Sequence, residues 1–168
     1  MRNLKNEKVP GPDEIINEQL KDSSEKVFLK LLEIGNKILR TREIPEEWKE
    51  ADMILIHKKG DRHKIENYRP ITLNSAIAKI FMQLIEMRIR NTIYYQQPRE
   101  QAGLRRAFST TDHLHTVNQI IQKTREYQIK VYFAFIDYTK AFDSLNHKYI
   151  LKALSNQGIS GNMVRIVE

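Results

Sequence analysis

An apolar run that ends in a carboxylate constrains this chain more than any other feature. Residues 131–136 read Val-Tyr-Phe-Ala-Phe-Ile, and Asp137 follows directly. The run predicts a strand over residues 130–136, and because both alternating faces are apolar, the strand is expected to be covered on both sides. Asp137 would then emerge at the edge of a core, where an unpaired charge is costly. It either ends the strand in a turn, which the pattern alone favours, or holds a cation.

The residues after Asp137 predict a turn and then a helix. Asp143 lies just before a helical pattern that runs from about Asn146 to Asn156. An aspartate at that point is typical of a helix N-cap or first turn. Gly158 follows where a C-cap glycine is expected. Asp143 therefore has a structural explanation as well, as a helix cap.

The elements before this run alternate between helices and one strand pair. Asp13 is placed to cap a first helix, and Ser109 with Asp112 predicts a capping box. Pro70 restricts its strand to a sheet edge or a bend. The predicted elements are a helix from Ser24, a short helix at 44–48, strands at 51–59 and 67–73, a helix at 75–95 and a helix from Ser109 to about Tyr127. This order predicts an α+β fold without an internal repeat.

Composition limits the class of protein and its partners. The 168 residues amount to one domain or a piece of one, and both ends are expected to continue into a longer polypeptide. There is no cysteine, which excludes disulfides and thiolate zinc sites. No apolar run reaches the roughly 18 residues of a membrane helix, and no secretory signal is present. The net charge of +7 favours nucleic acid as a partner, then a membrane surface, with a generic basic surface as the alternative.

Cations are concentrated in two places. One cluster follows the first predicted strand, and the other has aromatic residues nearby, an arrangement typical of phosphate contact and base stacking. Two solvated loops are the alternative. Glycine-rich phosphate loops and the H-E-x-x-H metal motif are absent from the sequence, and the five histidines are interpreted as surface or polar-contact residues. The clusters are Lys58, Lys59, Arg62, His63, Lys64 and Arg69, then Arg99, Arg105 and Arg106 with Tyr94, Tyr95 and Phe108.

Five segments, in order, resemble the reverse transcriptase domain of non-LTR (LINE-type) retrotransposons. They are KVPGPDEI, REIPEEWKEADMILIHKKGD, NYRPITL, EQAGLRRAFSTTDHL and FIDYTKAFDSLNH, the last of which is similar to polymerase motif A. The resemblance implies the fingers and the start of the palm of a right-hand polymerase. Residues 1 to about 128 would form the fingers and first palm helices, and about 129–168 the palm strand with motif A and the following helix.

The resemblance also implies an activity and its partners. The family is an RNA-directed DNA polymerase that uses two Mg²⁺ ions, an RNA template, a DNA primer and incoming deoxynucleotides. It acts inside the cell and without a membrane. Two metals would activate the primer 3′-hydroxyl and neutralise the leaving pyrophosphate.

Site residues carry over from the matching motifs. Asp137 would be the catalytic metal ligand, helped by the backbone carbonyl of Tyr138. Phe142 would pack under the sugar of the incoming nucleotide, although a core aromatic at a turn is the alternative. The remaining implied contacts are Arg69, Lys58 and Lys59 on the triphosphate, and Arg105, Arg106 and Lys64 on nucleic acid. Asp143 is implied to be a structural cap.

Several departures from the family pattern limit this expectation. Leu104, Ala107, Phe108 and Glu14 replace residues that the family prefers. The chain also has no adjacent pair of aspartates, so the second carboxylate motif is absent from it. Because a two-metal site needs more than one carboxylate, we expect this chain alone neither to polymerise nor to bind Mg²⁺ tightly. The competing hypothesis is a non-catalytic remnant that binds nucleic acid or a protein.

Overall fold

The computed structural model describes residues 4–105, 107–138 and 140–168 and has a mixed fold, as predicted. Helices predominate over a small sheet. One short 3₁₀ turn, Glu46–Trp48, precedes the first strand, and another, Ile65–Asn67, lies in the loop before the second strand. Over the described residues the elements are α1 (Asn17–Lys21), α2 (Glu25–Thr41), β1 (Ala51–His57), β2 (Tyr68–Asn74), α3 (Ala76–Gln96), α4 (Thr110–Glu126), α5 (His147–Asn156) and α6 (Gly161–Val167). In this part of the chain none of the helices has the length and apolar character needed to span a bilayer.

The hydrophobic core lies between α2, α3 and α6. Ile38 of α2, Phe81 and Ile85 of α3, and Ile166 of α6 are buried together. Trp48 packs at the edge of this cluster, with its ring centroid 5.6 Å from that of Phe81. The helical spacing of apolar residues on α2 and α3 thus places one stripe of each helix in the core. We call this cluster and its three helices the core region.

The two strands form an antiparallel hairpin. Ala51 pairs with Asn74 at the base, and His57 pairs with Tyr68 at the loop end. Pro70 lies opposite Leu55. A two-stranded sheet has only edge strands, and the outward side of such a strand accepts a proline that lacks an N–H. The predicted strand pair is therefore confirmed.

Most of the predicted helix ends are confirmed. The Ser75 side chain accepts a hydrogen bond from the Ala78 N–H at the start of α3. Ser109 and Asp112 form the predicted capping box of α4. Gly158 has a φ of +79° just beyond α5, a conformation that favours glycine.

The N-cap of α5 corrects the expectation for Asp143. The side chain of Asn146 accepts a hydrogen bond from the Lys148 N–H at 3.0 Å. Asn146 immediately precedes the first helical residue, whereas Asp143 lies three residues further back. The cap position requires a side chain adjacent to the first turn, so the prediction that Asp143 is the cap is wrong.

The predicted strand over residues 130–136 is not formed. These residues belong to neither a helix nor a strand, and their side chains are exposed, including Tyr132 at 91% and Phe135 at 85%. A strand exists only when another strand hydrogen-bonds to it, and in the described part of the chain β1 and β2 pair with each other. The expectation that both faces are covered is also wrong. We call residues 129–138 the apolar segment.

The accessible surface area reflects this exposure. The chain exposes 14326 Å², whereas a compact monomer of its mass exposes about 8,700 Å². Much of α4 contributes, since no residue of that helix is buried. The fold therefore has one small buried core region and large apolar surfaces outside it.

Candidate functional site

Asp137 lies at the end of the apolar segment. Over the described residues, its carboxylate forms no hydrogen bond and no ion pair, and the side chain is exposed. Tyr138 is exposed as well. Such a carboxylate is free to bind a hard cation, which prefers oxygen ligands.

Phe142 lies in the turn that follows. The Leu145 N–H donates to the Phe142 carbonyl at 3.3 Å, and the Ser144 N–H donates to the Lys140 carbonyl at 3.0 Å. The Phe142 ring is 76% exposed. This exposure excludes the alternative of a core aromatic in the present structure and leaves the ring accessible to a ligand.

The loop between β1 and β2 is closed by its own hydrogen bonds. The Lys58 N–H donates to the Asn67 carbonyl at 2.8 Å, and the Asn67 side-chain amide donates to the Asp61 carbonyl at 2.8 Å. Tyr68 donates its hydroxyl to the Arg62 carbonyl at 2.9 Å. Gly60 has a φ of +84°, and a Cβ there would lie 2.8 Å from the Asn67 amide nitrogen. These hydrogen bonds therefore give the loop a defined conformation.

This loop presents the first cation cluster to solvent. Lys58, Lys59, Lys64 and Arg69 are all exposed. Over the described residues, four ion pairs are formed, and each lies in another element: Lys30–Glu33, Lys49–Glu46, Arg90–Glu86 and Lys123–Glu126. The cations of the hairpin are thus available to an anionic partner. We call β1, β2 and their loop the cationic hairpin.

Arg105, from the second cluster, has intramolecular partners. Its guanidinium lies 4.8 Å from the centroid of Tyr94 and 4.0 Å from that of Phe108. Its Nη1 donates to the Pro98 carbonyl at 2.9 Å, while its buried Nε has no partner among the described residues. The side chain therefore holds the loop after α3 together, and its role toward nucleic acid stays a prediction. Arg106, predicted to share that role, lies outside the described residues.

No metal centre is assembled by the part of the chain that the structure describes. Among residues 4–105, 107–138 and 140–168, no group of three acidic or histidine side chains is placed to hold a metal ion. Nor does a hydrogen bond or ion pair join Asp137 to the cationic hairpin in these ranges. The side chains that the structure describes therefore do not supply a donor set that fits two Mg²⁺ ions.

One contact that the sequence did not reveal involves Asp13. Its Oδ2 accepts hydrogen bonds from the Ser75 hydroxyl at 2.6 Å and from the Ala76 N–H at 3.1 Å. Asp13 was predicted to cap the first helix, but the N-cap position of α1 is Ile16. The prediction is wrong because Oδ2 of this carboxylate binds the start of α3, at Ser75 and Ala76, which lie 62 and 63 residues further along the chain. The turn-forming Pro-Gly-Pro-Asp letters were a signal of a fixed backbone but not of its partner.

Comparison with known proteins gives the family context of these surfaces. Residues 56–167 match the family described as reverse transcriptase (RNA-dependent DNA polymerase). A probable RNA-directed DNA polymerase from transposon BS of Drosophila melanogaster is 33% identical over 150 residues. The corresponding protein from transposon X-element is 35% identical over 147 residues, and the RNA-directed DNA polymerase from mobile element jockey 30% over 147, both from the same organism.

These matches include most of this chain but only a small part of each relative. They include 88%, 84% and 86% of this chain, but 17%, 16% and 16% of the three relatives. The chain thus spans about one sixth of the length of the curated relatives it matches. The family match includes the loop of the cationic hairpin, Asp137 and Phe142, while Asp13 precedes it.

Proposed function

We propose, on the premise that this chain belongs to the reverse transcriptase family, that it forms the fingers and the start of the palm of a retrotransposon RNA-directed DNA polymerase. The observation that carries the proposal is the family match over residues 56–167, which includes both the loop of the cationic hairpin and Asp137. In this proposal the substrates are an RNA template, a DNA primer and deoxynucleoside triphosphates, and the protein acts inside the cell.

The cationic hairpin binds the triphosphate of the incoming nucleotide in this proposal. Arg69 supplies a planar guanidinium, which suits phosphate oxygens, and Lys58 and Lys59 supply point charges. These side chains are exposed, and none of the ion pairs among the described residues includes them, which supports the assignment. Lys64 lies in the same loop and is assigned to the nucleic-acid backbone, together with Arg105 and Arg106.

Asp137 and Phe142 face the sugar and the reacting phosphate. The exposed carboxylate of Asp137, with the Tyr138 carbonyl, supplies oxygen ligands for a divalent cation. The family is in general dependent on divalent metals, and bound ions would supply charge stabilisation at the phosphate. The exposed ring of Phe142 supports its assignment as the surface under the sugar.

We further propose that this chain alone does not polymerise. A second carboxylate is needed to hold two cations, and the sequence contains no adjacent pair of aspartates. The test is primer extension by the purified chain on an RNA template with Mg²⁺. No incorporation of deoxynucleotides is expected. Robust extension would contradict the proposed inactivity. If Asp137→Ala abolished that extension and Asp143→Ala left it intact, the assignment of Asp137 would still be supported.

A positive experiment tests the assignment of Asp137 itself. A chimera in which this chain replaces the matching segment of the jockey polymerase would carry the rest of that relative's enzyme. We expect extension that Asp137→Ala abolishes and that Asp143→Ala leaves intact, because Asp143 neither caps α5 nor is assigned to the metal. Equal loss in both variants would contradict the distinction between the two aspartates.

The second candidate is a non-catalytic remnant that binds nucleic acid. The net charge of +7 and the exposed cations of the hairpin favour it. Such binding weakens with salt as phosphate contacts are lost. A chimera that stays inactive, while the chain itself binds single-stranded RNA with a steep salt dependence, would favour this candidate over the enzyme.

A further inference from the structure

The joint between the cationic hairpin and α3 is a single residue. β2 ends at Asn74 and α3 begins at Ala76, so Ser75 alone separates them. Ser75 is 4% exposed and its hydroxyl both accepts from the Ala78 N–H and donates to Asp13. Any change in the backbone at this residue changes the direction of the hairpin relative to the core region.

A turn from the N-terminal residues is packed directly on this joint. Gly11 is buried there, and a Cβ on it would lie 2.8 Å from the Ser75 nitrogen and closer still to the Asn74 carbonyl. Only glycine permits that approach. The Glu14 N–H donates to the Gly11 carbonyl at 2.9 Å, which closes the turn. The turn thereby carries the Asp13 carboxylate to the first residues of α3.

No side chain of the hairpin is fully buried. Residues 51–56 of β1 are exposed, and β2 is at most half-buried, at Tyr68, Pro70, Ile71 and Leu73. A strand pair that buries no side chain completely depends strongly on its connections for its orientation. Two charge-assisted hydrogen bonds to the joint are therefore well placed to set that orientation.

We propose that Asp13 is a positioning residue, which fixes the cationic hairpin relative to the core region through Ser75 and Ala76. The Gly11–Asp13 turn and the Ser75 joint form what we call the latch. Its effect on nucleotide binding rests on the proposed function, because there the hairpin carries the triphosphate contacts. Its effect on orientation does not.

A simpler role would be helix capping alone. A carboxylate at a helix N-terminus stabilises the helix through its unpaired N–H groups and its dipole. Capping predicts a loss of stability when Asp13 is replaced, with the hairpin held as before. The latch predicts in addition that the hairpin takes a wider range of orientations, so a distance measurement separates the two.

The natural absence of cysteine makes this measurement direct. Ile65→Cys in the hairpin loop and Met87→Cys on α3 are exposed positions for spin labels, and neither is assigned to binding. In the labelled chain we expect a narrow distribution of distances by pulsed electron spin resonance. Asp13→Ala and Ser75→Ala should both widen this distribution. Ser75→Thr should keep it narrow because the hydroxyl remains. The control Asp22→Ala removes an exposed carboxylate at the end of α1 and should leave the distribution unchanged.

Each outcome decides the matter. A distribution that stays narrow in both Asp13→Ala and Ser75→Ala overturns the latch and leaves capping alone. If Asp13→Ala does not fold, as circular dichroism would show, Ser75→Ala decides by the same comparison.

A separate arm tests the consequence for binding. Inorganic triphosphate serves as the probe, and we expect Asp13→Ala to weaken its binding several-fold when the distribution widens. If the parent chain does not bind triphosphate, the proposed role of the hairpin fails while the distance result still judges the latch. If triphosphate binds equally to both proteins, the latch does not act on binding.

Discussion

The core region and the apolar segment are built from similar residues but lie in opposite environments. Phe81 and Ile85 of α3 are buried against α2 and α6, whereas Phe135 and Ile136 in the apolar segment are exposed. The difference is the presence of a partner surface. Hydrophobic periodicity shows which side chains benefit from burial, but burial itself requires a second element that covers them.

The largest expected effect is on the stability of the core region. Phe81→Ala should lower the free energy of unfolding by about 3–5 kcal/mol, since a buried aromatic leaves a cavity. Phe135→Ala, its matched control, should change it by less than about 0.5 kcal/mol. Trp48 is the only tryptophan and packs on Phe81, so its fluorescence follows a urea titration of the core region. Equal losses would show that the apolar segment is packed in solution.

The apolar segment should have the next largest effect, on association rather than stability. Exposed, β-prone residues without proline or glycine favour pairing between copies. Phe135→Lys should therefore raise, by several-fold, the protein concentration at which light scattering begins to increase. Leu104→Lys adds the same charge at another exposed apolar residue and serves as the control. If both variants raise the threshold equally, net charge rather than the segment controls association.

A smaller effect distinguishes the two candidate caps of α5. Asn146→Ala should lower the free energy of unfolding by about 1 kcal/mol, because the Lys148 N–H loses its acceptor. Asp143→Ala should have little effect. Circular dichroism during urea unfolding measures both, and the reverse order would restore Asp143 as the cap.

The sequence predicted local structure well where the cause was local. The helix expected at 75–95 is observed at Ala76–Gln96, and the capping box at Ser109 and the hairpin strands lie as predicted. In each case neighbours within a few residues determine the conformation. The family motifs likewise pointed to the reverse transcriptase family, which the match over residues 56–167 confirms.

The failures involve partners that are distant along the chain. Asp13 was assigned to a nearby helix, yet its hydrogen-bond partner is Ser75. The strand at 130–136 was predicted from its own residues, although a strand needs another strand beside it. The roles of Asp137 and Phe142 stay predictions, since no group of three metal-binding side chains forms among the described residues.

The smallest expected effect concerns the surface of the core region. Lys30 hydrogen-bonds to Glu33 on α2 and holds the pKa of that carboxyl below its ordinary value of 4.5. A carboxyl whose pKa is lowered by folding contributes stability above its unfolded pKa, and the contribution is lost as the pH falls through the folded pKa. Glu33→Gln should therefore slightly flatten the fall in stability below pH 4.5. Both side chains are exposed, so the change should be small and should shrink further in high salt.

Urea midpoints of Trp48 fluorescence at several pH values measure this effect. Glu47→Gln, which removes an exposed charge outside α2, is the control. The fall in the urea midpoint at low pH could stay unchanged in Glu33→Gln, or become equally shallow in both variants. Either result would show that the Lys30–Glu33 pair adds nothing specific to the stability of α2. The stability of the core region would then come from its buried side chains and not from its surface charges.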